Sequence, residues 1–181
     1  MKKVLKAIVW ICAAMVVILV GGGYLLPDEV VVQREALINA PPEKVFALVS
    51  SFKRFNEWSP WAEIDPNIQY TVDGPEAGVG ANISWASNNS NVGVGKQTIT
   101  ESIADSRVVS DVDLGKMGRT TSFWDLKPEG NGTIATWGFK MKLDGLLDRW
   151  TGLGMDNVWG PDYEKGLAKV KALAEKEAAG G

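Results

Sequence analysis

The side chains that most often do acid–base and nucleophilic chemistry near neutral pH are almost absent from this chain. It has no histidine and a single cysteine, Cys12, set in an apolar N-terminal run. That excludes a Ser-His-Asp triad, a Cys-His pair, an intrachain disulfide and a zinc site built on His or Cys. Carboxylates, hydroxyls, Lys, Arg and eight tryptophans remain. Asp111 and Asp113 alternate along one expected strand and Glu101 is central in the strand before it. Two acids on one strand face can hold a cation or share a proton. The alternation puts Val112 and Leu114 on the opposite face, however, so the acids are expected to face water, and no metal site and no catalytic residue is expected. Asp125 and Lys127, on either side of an inward Leu126, are read the same way.

Tryptophan is the more informative resource. Trp58, Trp61, Trp85, Trp124, Trp137, Trp150 and Trp159 all follow residue 27. Strand alternation places Trp124 with Leu126 on one face, and Ala135 with Trp137, Phe139 and Met141 on one face of the next strand. Such a face is either solid core or the wall of a pocket, since an indole offers a large apolar surface with one N–H donor. The candidate ligand-binding residues are therefore Trp58, Trp61, Trp85, Trp124, Leu126, Trp137, Phe139 and Met141. Trp58 and Trp61, flanking Ser59-Pro60, are expected to act as a rigid plug.

Two apparent phosphate motifs fail. SNVGVGKQ (90–97) has Ser where a Walker loop needs Gly and Gln where it needs Ser or Thr. Gly78-Val79-Gly80 opens a strand, so it is no dinucleotide fingerprint. No cofactor is expected. Charge excludes another class of partner. Lys2, Lys3 and Lys6 precede residue 27, leaving 16 basic residues against all 22 acidic ones in the rest of the chain. That acidic remainder lacks the clustered Lys and Arg that nucleic acid requires.

These residues must be held by the elements around them. Ala7 to Leu26 is a run of twenty uncharged residues, AIVWICAAMVVILVGGGYLL. As a helix it spans about 30 Å, the thickness of a bilayer core. Residues 1–27 are read as an N-terminal membrane anchor, with a cleaved signal sequence as the alternative. Lysines before the span and Asp28 and Glu29 after it place the N-terminus in the cytoplasm and residues 28–181 outside it, as a single-pass protein of the cell membrane. Beyond Pro27 come a strand (29–40) and a helix started by Pro41 and Pro42. A short helix (51–58) follows, ended by Ser59-Pro60. Then come strands at 67–72, 80–86, 95–104, 107–114, 118–128 and 133–143, parted by Gly, Asn, Asp or Pro. The tail from Pro161 is an amphipathic helix with Tyr163, Leu167, Val170 and Ala174 on one stripe. The expected class is α+β: a curved antiparallel sheet of six to seven strands around a long C-terminal helix, with two short helices at one end.

That order, with INAPPEKVFALVSSFKRFNEWSPW (38–61), WDLKPEGNGTIATW (124–137) and GPDYEKGLAKVKAL (160–173), resembles the SRPBCC superfamily of helix-grip domains. START, Bet v 1-like and polyketide-cyclase-like proteins belong to it, and the polyketide-cyclase-like members are the nearest in pattern. WSPW (58–61) is the most specific of the motifs. The resemblance implies an apolar cavity between sheet and helix. It also implies that Glu57 and Arg149, the latter in a lid-like stretch (145–155), lie near the cavity mouth as polar contacts. The leading expectation is a membrane-anchored binding domain for a hydrophobic small molecule or lipid. One alternative is a cyclase- or hydratase-like enzyme working through carboxylates. The other is a protein–protein docking module at the membrane.

Overall fold

A computed structural model describes residues 2–180; Met1 and Gly181 lie outside the described residues. An apolar helix, α1 (Lys2–Leu25), leads into β1 (Glu29–Ile38). Pro42 opens α2 (Pro42–Val49), where its missing N–H costs nothing because a first-turn amide has no intrahelical partner. Two single turns follow, α3 (Phe55–Trp58) and α4 (Trp61–Ile64), separated by Ser59-Pro60. The second is an addition to the expected order. Pro60 ends α3 and immediately serves as the N-cap of α4.

Six further strands complete one antiparallel sheet: β2 (Gln69–Asp73), β3 (Asn82–Ala86), β4 (Val94–Ile103), β5 (Arg107–Asp113), β6 (Arg119–Glu129) and β7 (Gly132–Lys142). Their spatial order is β1-β7-β6-β5-β4-β3-β2, so the first strand closes against the last. The expected hairpin at 129–132 joins β6 to β7, with Gly130 at φ 58°. Glycine takes that left-handed conformation without a Cβ clash. Between Ile99 and Glu101 the register of β4 shifts against β5, a bulge that bends the strand and deepens the sheet's curvature.

The concave face buries Val32, Ile38, Ile83, Ile99, Val108, Trp124, Leu126, Ala135, Trp137 and Phe139. Across it lies α5 (Leu146–Ala179), whose Tyr163, Leu167, Val170 and Ala174 are all buried, the stripe expected from periodicity. Val45, Leu48 and Val49 of α2, with Phe52, Phe55 and Trp58, close one end of the grip.

In one respect α5 corrects the sequence reading. It begins at Leu146, so residues 145–155 are not a separate lid-like stretch but the first turns of a 34-residue helix that runs through Pro161. A proline inside a helix removes one hydrogen bond and normally kinks or ends it. Arg34 on β1 holds the two halves together here. Its guanidinium bonds Asp156 at 2.7 Å and Glu164 at 2.7 Å, and it lies where the Cβ of any residue but glycine at position 160 would have to be. The ion pairs thus bracket the proline, one turn on each side of Gly160. Both carboxylates raise the Arg34 pKa above its ordinary value through their hydrogen bonds.

Candidate ligand-binding site

Between the concave face and the N-terminal half of α5 lies an open cavity. The connected empty space is about 1480 Å³, and it continues over the β5–β6 rim onto the convex side of the sheet, so the chamber under α5 is only part of it. Phe55, Trp61, Tyr70 and Trp85 form one wall of the chamber, with an edge of Trp58 at its end. Trp137, Phe139 and Met141 from β7 form the floor, and Met155, Trp159 and Tyr163 the α5 side. The wall carries few polar groups. Gln97, Thr120 and Ser122 contribute amide and hydroxyl, and the Ser122 hydroxyl is already spent on the Gly138 carbonyl at 3.3 Å. Burial in this wall pushes the Tyr163 phenol well above its usual range, so it stays a neutral donor at any physiological pH.

The expected tryptophans separate into two groups. Trp58, Trp124 and Trp137 form a packed stack: Trp124 lies flat on Trp137 at 4.9 Å between centroids, and Trp58 meets both edge-on at 5.6 and 5.4 Å. Trp58 also donates its indole N–H to the Leu48 carbonyl at 3.3 Å. Trp58 and Trp137 each show the cavity only an edge, whereas Trp124 and Leu126 lie behind it in solid core. Trp61 and Trp85 are half-buried and border the space directly. Trp61 is edge-on to Trp137 at 6.0 Å and to Tyr163 at 6.3 Å; Trp85 covers Gly95 so closely that a Cβ there would overlap its ring. Thus Trp58 is the plug, and Trp61 is wall.

Neither polar candidate borders the chamber. Glu57 is exposed and bound by Arg54, whose donation holds the carboxylate below its ordinary pKa. Arg149 instead joins α5 to the end of α1, donating to the Leu26 carbonyl at 3.4 Å. The strand acids behave as expected. Asp111 is exposed, Asp113 is held low by the Gly115 amide, and Asp125 and Glu101 pair with Arg107 on the convex face. Among the described residues no group of three or more His, Cys, Asp or Glu is arranged to hold a metal ion.

The sequence reading missed Phe55, Tyr70, Met155, Trp159 and Tyr163 as cavity residues. Met155, Trp159 and Tyr163 recur every four residues, a spacing that marks one face of a helix. That signal was legible, but only for Tyr163 was it read as part of a helix.

A model of the polyketide cyclase / dehydrase and lipid transport family matches residues 29–175. The chain belongs to that family. The SRPBCC resemblance seen in WSPW and the C-terminal helix is thereby borne out, and so is the helix-grip fold. No curated protein matches the chain. Among solved structures, a protein of unknown function from Staphylococcus aureus is similar at 13% identity and TM-score 0.65, over 83% of this chain and 96% of that one. The di-domain aromatase/cyclase StfQ of steffimycin biosynthesis is similar at 12% identity and TM-score 0.64, over 83% of this chain and 52% of that one. A protein from Rhizobium leguminosarum gives 16% identity and TM-score 0.59, over 82% and 95%. At these identities the likeness shows the fold alone. This member of the family carries, before its matched region, a helix that is long and apolar enough to cross a membrane.

Proposed function

We propose that this family member binds a hydrophobic small molecule or lipid in the chamber under α5, without catalysing its conversion, and that α1 holds it at a membrane with the domain outside the cytoplasm. The observation that carries the binding reading is the make-up of the chamber. Its walls are mostly aromatic and thioether side chains, and of the carboxylates bordering the connected space Glu29, Asp111, Asp144 and Asp148 are exposed, while the half-buried Asp113 lies on the convex side. A cyclase working by acid–base catalysis without histidine needs a carboxyl raised by burial. The resolved carboxylate shifts instead run downward, at Glu57, Glu63, Asp113, Asp156 and Glu175, each through a bound donor. Affinity then comes from apolar contact at roughly 25 cal/mol per Å² buried, less the cost of association.

The test is binding of an apolar fluorescent probe to the full chain in detergent. The probe should be displaced by lipid extract, weakened by Trp61→Ala and untouched by Glu57→Gln. Affinity should be flat between pH 5 and 8. A steep pH dependence removed by one carboxylate substitution favours the cyclase reading, which the family and the StfQ likeness support. No binding at any pH leaves the docking module.

A further inference from the structure

The outward edge of α5 changes character at Pro161. Leu147, Trp150, Gly154, Val158 and Pro161 follow one another at intervals of three and four, which makes a single stripe on the helix. Continued past the proline, the same stripe reads Lys165, Ala168, Ala172 and Lys176. The first half is free of charge, and Leu147 and Val158 are 73% and 68% exposed, with Leu153 beside them at 59%. These side chains cover nothing in the domain.

The apolar half is also the part of α5 that touches α1. The Trp150 indole lies against Gly22, which has no side chain to displace it, and donates to the Leu19 carbonyl at 3.0 Å; Leu146 packs on Gly23. Leu19 lies seven positions before Leu26, about 10 Å of helix at 1.5 Å per residue. If Ala7 to Leu26 spans the bilayer, Trp150 meets α1 within about 10 Å of the outer end of the span, below the level of the outer aromatic belt and not above it. The exposed stripe is then continuous with a helix whose surface, outside the contact at Gly22 and Gly23, is in lipid.

We propose that the first half of α5, Leu146 to Val158, rests in the outer surface of the bilayer that α1 crosses. Its apolar stripe is immersed, and the cavity mouth beside Thr151 and Met155 opens onto lipid. This rests on the membrane-anchor reading of α1. A helix in this position buries its apolar face about 5–10 Å into the headgroup boundary, a depth that the Trp150–Leu19 contact matches. An apolar ligand then enters the chamber from the membrane without crossing water.

The experiment uses the full chain with Cys12→Ser, reconstituted into phosphatidylcholine/phosphatidylglycerol vesicles. A bimane label is placed in turn at Leu147→Cys, Thr151→Cys, Val158→Cys, Ala172→Cys and Val17→Cys. All five sites, four in α5 and one in α1, are exposed, so labelling leaves packing intact. Lipids bearing a nitroxide at a shallow position should quench residues 147, 151 and 158 several-fold more than residue 172, and deep nitroxides should quench residue 17. Quenching at 147 and 158 no greater than at 172, with residue 17 quenched, overturns the proposal while leaving the anchor standing. Sites 147 and 158 shielded from aqueous iodide yet unquenched by lipid overturn it in favour of a second copy. Residue 17 unquenched overturns the anchor reading and the proposal with it.

Discussion

Two glycines of α5 should respond in opposite directions to the same substitution, because one faces a fixed ring and the other faces open space. Alanine is favoured over glycine in a helix interior by up to about 1 kcal/mol, so propensity alone makes both changes stabilising. At Gly166 an added Cβ would lie 2.4 Å from Trp137 Cζ3, 3.0 Å from Cη2 and 3.2 Å from Pro60 Cδ. That ring cannot retreat. It is held between Trp124, stacked at 4.9 Å, and Tyr163 at 4.2 Å, with Trp58 on its edge. Overpacking costs roughly 1–3 kcal/mol, and a 2.4 Å approach to a ring held on three sides puts this site at about 2–3 kcal/mol, which leaves a net loss of about 1–2 kcal/mol after the helix gain. At Gly154 nothing lies within 4 Å, so the gain stands. At about 2–4 °C per kcal/mol for a chain of this size, Gly166→Ala should lower Tm by about 2–8 °C and Gly154→Ala should raise it by up to about 4 °C. Thermal unfolding of the full chain in one detergent, followed by near-UV circular dichroism, reads both. A rise in Tm for Gly166→Ala would show that the Trp124–Trp137–Tyr163 stack is not rigid, and the distinction between solid core and chamber wall would fall with it.

The same division separates two tryptophans: Trp58→Ala should cost about 3–5 kcal/mol in denaturant unfolding, the range for a buried aromatic, whereas Trp61→Ala should cost less and instead weaken probe binding. Equal losses of stability would refute the assignment of plug and wall. With histidine absent, Tm should be level from pH 8 to 5. The pKa values of Glu57, Glu63, Asp113, Asp156 and Glu175 are lowered in the folded state, so their stabilisation is present above the ordinary carboxylate range and is lost as pH falls through their folded values; Tm should therefore drop only below about pH 4. A transition between pH 5 and 8 would point to a titrating group not among these. Arg34→Met keeps an unbranched apolar stem on β1 but removes the guanidinium that covers Gly160 and with it both ion pairs, so amide exchange should quicken in residues 156–164 and stay unchanged in 167–174; uniform exchange would mean that Pro161 needs no clamp.

What could be read from the chain alone was whatever repeats locally. The alternation around Trp124 and Trp137 marked two inward strand faces, and the stripe Tyr163–Leu167–Val170–Ala174 marked the gripping helix. Pro41-Pro42, Pro60 and Gly130 punctuated the elements where their φ angles require it, and the missing histidine excluded whole classes of chemistry. Periodicity says which way a side chain points, but not what it meets. Whether Trp124 faces a void or another indole depends on how seven strands curve and where α5 crosses them, which is a property of contacts distant in sequence. The start of α5 was hidden for the same reason. Pro161 is a local stop signal, and it is overridden by Arg34, more than a hundred residues earlier, through ion pairs that exist only once β1 lies beside the helix. Arg149 and Trp150 likewise acquired their place at the end of α1 only from the tertiary structure, because nothing in their own neighbourhood of sequence records that Gly22 and Gly23 leave room for an indole.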